Sequence, residues 1–83
     1  MDKFELTMEL VRYNLDDLKR EIKLLYEEGA ENYKKIHKLM KDTEFLLNSV
    51  NPESEDEELL DSELRYELRS ITADYYDIYY ALN

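Results

Sequence analysis

His37 is the only imidazole in the chain, so a general base or metal ligand titrating near neutrality would have to be built on it. Its neighbours are Ile36 and Lys38, and no carboxylate stands four residues to either side, where a helix would bring one alongside. A nucleophile activated by His37 would need a Ser or Thr from another element, and nothing in the pattern points to one. The chain has no Cys, which excludes a thiolate nucleophile, a disulfide framework and a Cys-based zinc site. One His is too few for a His-based zinc site. No Gly lies among the acids, so they form no EF-hand loop. Gly29 stands alone, and there is no Gly-rich phosphate loop. Carboxylate pairs are abundant but unspecific. The chain is expected to be no enzyme and to take no cofactor or metal.

What remains is charge and apolar surface. The chain has 83 residues, 21 acidic against 11 basic, for a formal net charge of −10. Residues 51–83 hold ten of the acids and only Arg65 and Arg69 to offset them. Such a field repels nucleic acid and anionic lipid and attracts basic surfaces. The run Glu53, Glu55, Asp56, Glu57, Glu58 has a local use, since acids in a first turn complement the helix dipole. Asp74 and Asp77 have none, because near a helix C-terminus carboxylates oppose that dipole. On a helical wheel Asp56, Glu63, Glu67 and Asp74 fall in one narrow stripe, with Asp77 beside it. Carboxylates one turn apart are about 5–6 Å from each other. Successive phosphates of a nucleic-acid strand are spaced similarly, so the row matches a groove built to hold a phosphate backbone. Lys34, Lys35, Lys38 and Lys41 gather around His37. Without interleaved aromatics or Arg, and against the net charge, that cluster predicts no direct nucleic-acid binding. It is expected to pair with acids of the third helix, with a neighbouring subunit, or with solvent.

These side chains must be positioned by helices. One Gly and one Pro leave little punctuation for hairpins. Phe4, Met8, Val11, Leu15, Leu18, Ile22 and Leu25 follow at alternating spacings of four and three, a heptad seam. Tyr33, Ile36, Met40, Thr43, Leu47 and Val50 continue it, and Leu60, Leu64, Leu68, Ile71, Tyr75, Ile78 and Leu82 form another stripe. Asn51-Pro52 stops the second helix, and Ser54 with Glu57 reads as a capping box. The spacing predicts helices over about 2–28, 31–49 and 54–82. Together they form an all-α, three-helix antiparallel bundle or coiled-coil-like assembly in one domain, residues 1–83. The junction at Gly29 has two readings. Gly favours a helix end there. Glu27 and Glu28, Lys34 and Lys35, and the spacing Glu31 to Lys35 instead favour helices 1 and 2 as one kinked rod, roughly 70 Å long over residues 2–50.

Apolar side chains also occur away from the seams. Leu6, Leu10, Tyr13 and Leu24 give the first helix a second face, which predicts self-association, most simply a two-fold dimer. With Tyr75 and Tyr79 in the core, Tyr76 and Tyr80 point roughly outward, near the side of Tyr66, as binding anchors. No apolar run approaches a membrane span, and the start lacks a signal-peptide pattern, so a cytoplasmic protein without a membrane role is expected.

In size, charge and paired tyrosines the chain resembles bacteriocin immunity proteins, which are small, acidic and four-helical, though the motif those carry around their tyrosines is absent. Its size and charge are also similar to those of small phage-encoded inhibitors of host defence nucleases, some of which imitate DNA. The expected function is a non-catalytic, acidic protein that blocks a basic, nucleic-acid-binding surface of a partner such as a nuclease or other nucleic-acid-handling enzyme. Asp56, Glu63, Glu67, Asp74 and Asp77 would supply charge, and Tyr76 and Tyr80 the anchor. The alternative is a homo-oligomeric coiled-coil adaptor or regulatory protein, with Leu6, Leu10, Tyr13 and Leu24 as the interface.

Overall fold

The computed structural model describes residues 2–28 and 31–82. The elements are α1 (Lys3–Glu28), α2 (Tyr33–Asn48) and α3 (Glu55–Leu82), with no strand among the described residues. They pack into a three-helix bundle with extents of 42 × 18 × 16 Å. The roughly 70 Å rod is thereby excluded. Glu31 and Asn32 are not helical, and the chain reverses between α1 and α2; Gly29 itself lies outside the described residues. Lys35 pairs with Glu21 of α1, at 2.6 Å, and not with Glu31. That cross-helix pair offsets the cation at the start of α2 that argued for continuity.

Contacts give the directions. Met8 lies by Leu60, Leu15 by Leu64 and Ile22 by Ile71, so α1 and α3 run parallel, while His37 meets Tyr75 and Asn48 meets Arg65, so α2 runs antiparallel to α3. Burial follows the seams. Met8, Val11, Leu15, Leu18 and Leu25 of α1 close over Ile36 and Leu47 of α2 and Leu64, Ile71 and Tyr75 of α3. Thr43 sits on the α2 seam because its hydroxyl donates to the Leu39 carbonyl one turn back, at 2.6 Å, which satisfies a polar group inside the core.

The ends are capped as the local chemistry dictates. Asp2 Oδ1 accepts the Glu5 amide at 2.8 Å and starts α1. Ser54 Oγ accepts the Glu57 amide at 3.2 Å. Glu57 returns the bond one residue further out than a simple capping box, accepting the Glu53 amide at 3.0 Å. At the far end of α2, Arg65 donates to the Leu47 carbonyl at 2.6 Å and to Asn48 Oδ1 at 3.0 Å, while Asp61 holds its Nε at 2.8 Å. One guanidinium thus satisfies an otherwise open carbonyl of α2 and ties that helix to α3.

Candidate interaction surfaces

The acidic stripe lies along α3 as its spacing requires, but its members differ in surroundings. Asp56, Glu63, Asp74 and Asp77 are exposed and take part in no ion pair among the described residues. Glu67 is half-buried and accepts from Lys19 of α1 at 2.5 Å. That hydrogen bond, with the nearby carboxylate charge, holds the Lys19 ammonium above its ordinary range. Asp74 and Asp77 form one wall of a cleft of about 490 Å³, with Lys19 and Lys23 opposite and Ile22, Ile71 and Ile78 beneath. The row is therefore one side of a seam whose other side carries cations, a detail that a single-helix wheel does not contain.

The basic cluster is dispersed by its pairings. Lys35 joins Glu21 on α1, and Lys38 joins Asp42 on its own helix at 2.6 Å. The partner of Lys35 is thus on α1, and not among the third helix, a neighbouring subunit and solvent, the three partners that the sequence suggests for the cluster. Glu21 also accepts from Asn32 Nδ2 at 2.9 Å. Hydrogen bonds from Lys35 first and Asn32 second hold the Glu21 carboxyl below the usual range. A carboxyl with a depressed folded value stabilises the fold above its ordinary value of 4.5 and loses that contribution as pH falls through the folded value.

The tyrosines form a cluster with the one imidazole. Tyr75 is fully buried, and its hydroxyl lies 2.9 Å from His37 Nε2. Tyr33 meets Tyr79 edge-on with centroids 5.3 Å apart, and His37 meets Tyr75 the same way at 5.3 Å. Tyr76 is exposed, at 37 %, and its ring also lies 6.3 Å from that of His37. Tyr80 stacks on Tyr76 at 6.0 Å and is open to solvent, as is Tyr66. His37 thus serves as a packed polar partner in an aromatic corner. The sequence signal for this was the shared position of Tyr33, His37, Tyr75 and Tyr79 near the α2–α3 seam, but the pairing depends on how the two helices align.

Burial, with smaller contributions from Tyr79, Tyr76 and Tyr33, pushes the Tyr75 hydroxyl up to about 12. A phenol raised in the fold leaves stability untouched below its ordinary value of 10.0, and the fold then loses stability as pH climbs from there to about 12. Urea midpoints measured across that window should fall more steeply for the parent than for Tyr75→Phe. Parallel curves would remove this role for the buried hydroxyl.

The second face of α1 is open. Leu6 is 52 % exposed, Leu10 47 %, Tyr13 67 % and Leu24 39 %. Exposed apolar residues are not confined to it, since Tyr26, Phe45 and Leu59 are exposed elsewhere on the three helices. No group of three or more His, Asp or Glu side chains among the described residues is placed to hold a metal ion. No helix of the described residues is long and apolar enough to cross a membrane.

Fold and surface together define an acidic all-α three-helix bundle. No protein-family model, curated protein or solved structure matches this chain. Its reading therefore rests on its own residues.

Proposed function

We propose that this chain is a non-catalytic binding protein whose α3 carboxylates occupy the basic surface of a partner, of the kind built to hold a nucleic-acid backbone, and so block it. The observation that carries this is the pair Asp74 and Asp77. Both are exposed, and neither has an ion-pair partner among the described residues. No direct ion pair within the chain uses them, which favours an intermolecular use. From Asp56 to Asp77 the row extends roughly 30 Å along the helix. Exposed Tyr80, backed by Tyr76, would add a rigid apolar anchor beside the charges. Charge would set the rate of encounter and the choice of partner, and the tyrosines the lifetime of the complex. The test is surface plasmon resonance against nucleases and nucleic-acid-binding domains with open basic grooves. Association at low salt with a rate that drops steeply as salt rises supports the reading. A flat salt response, or no association, contradicts it.

The exposure of Leu6, Leu10, Tyr13 and Leu24 favours a second reading, a homo-oligomeric adaptor that buries this face. In that case the parent elutes as a salt-resistant dimer or larger in size-exclusion chromatography with light scattering, and Leu10→Glu returns it to a monomer. A parent that is already monomeric removes this reading.

A further inference from the structure

The seam between α1 and α3 is an open groove, and three clefts follow each other along it. The first, about 190 Å³, lies between Met8 and Leu60. The second, about 300 Å³, lies between Leu15 and Leu64, with Arg12 common to both. The Lys19–Glu67 ion pair then crosses the seam, and the third cleft, about 490 Å³, opens beyond it over Ile22, Ile71 and Ile78. Every lining residue comes from α1 or α3, and α2 contributes to none of the three. From Glu5 to Tyr26 the groove runs roughly 30 Å, the length of about 20 helical residues. Two parallel helices backed by a third leave this position for a fourth helix of a bundle.

We infer that the α1–α3 groove takes a basic amphipathic helix of the partner protein. This rests on the reading above and adds the shape of what is bound. The charge pattern selects the occupant. Glu63, Glu67, Asp74 and Asp77 make the α3 wall acidic throughout, against Arg12, Lys19 and Lys23 on a mixed α1 wall. A helix with Lys or Arg on the flank that faces α3 would be complementary, and its apolar stripe would meet the accessible parts of Leu60, Ile78 and Tyr26. The largest cleft has room for one aromatic or branched aliphatic anchor beside the exposed ring of Tyr26. A second copy of this chain is a poorer occupant. Its densest run of lysines is on α2, where Lys35 and Lys38 are already paired within the chain and, among the described residues, Phe45 is the only large apolar side chain that is exposed. One aromatic ring cannot fill three clefts, and both copies carry a net charge of −10.

The experiment is a titration of the isotopically labelled full chain, followed by two-dimensional amide spectra. The probes are two synthetic Leu/Lys peptides of about 20 residues with identical composition, one with Leu at amphipathic helical spacing and one scrambled. The amphipathic peptide is expected to shift the amides of residues 19–26 and 71–78 and to bind about tenfold or more tightly than the scramble, the worth of one buried apolar anchor. Ile78→Arg should erase that preference and leave the weak, charge-driven binding of the scramble. Tyr26→Arg, at an exposed position, makes the same test if Ile78→Arg does not fold. Equal affinity of the two peptides overturns the groove while leaving the charge-led reading in place. Binding of neither at low salt removes both. Concentration-dependent shifts of the same amides without peptide would put a second copy in the groove and overturn the inference.

Discussion

The doubly reversed variant Asp74→Lys, Asp77→Lys should keep the fold and lose its association with a basic partner. Both side chains are exposed, so the substitutions empty no core position. The new lysines would face Lys19 and Lys23 across the cleft, so a small loss of stability, screened by salt, is expected beside the loss of association. The association rate should fall roughly a hundredfold at low salt, within the range that steering by complementary fields supplies. Far-ultraviolet circular dichroism checks the fold and stopped-flow mixing the rate. A variant that is as stable and associates as fast would show that these carboxylates are no more than a solvated surface.

The largest effect on folding is expected for Tyr75→Ala. Tyr75 is fully buried, packs against Tyr76, Tyr79 and His37, and closes the α2–α3 corner with its bond to His37 Nε2. Truncation removes the ring, leaves a cavity and strips the imidazole of its partner. Large aromatic-to-alanine changes in cores cost about 3–5 kcal/mol. A domain of this size is only marginally stable, so a large fraction of the variant should be unfolded at 25 °C. Tyr75→Phe keeps the packing and should lose only about 1–2 kcal/mol, chiefly through the unsatisfied imidazole nitrogen. Equal losses for the two variants, read from urea unfolding, would place the stabilisation in the hydrogen bond instead of in the packing.

Much of this fold is legible in the residues because each helix carries its own apolar period. The seam from Phe4 to Leu25 sets α1, Asn51-Pro52 and Ser54 with Glu57 set the second turn, and the observed bounds lie within two residues of those expected. The reversal between α1 and α2 was harder to read. The charge arguments for a continuous helix are local and worth fractions of a kcal/mol each. Burial of Leu25 and Ile36 in one core outweighs them, and Lys35 finds its counter-charge across the bundle on Glu21. The interaction surfaces were legible as stripes and not as neighbourhoods. A wheel drawn for α3 alone places Glu67 and Asp74 together, but not the lysines of α1 that face them, because those depend on the alignment of α1 with α3. The same limit hid the Tyr75–His37 bond, between residues 38 positions apart. Tyr76 and Tyr80 are both exposed, as the wheel of α3 alone places them, but the contact of Tyr76 with His37 depends on how α2 aligns with α3.

Competition between this chain and duplex DNA for a nuclease that binds both is decisive. Mutual exclusion is expected: the apparent DNA affinity of the nuclease should fall in proportion to the chain added, and the Asp74→Lys, Asp77→Lys variant should have no such effect. A ternary complex in which DNA and chain are held together, each at undiminished affinity, would contradict it.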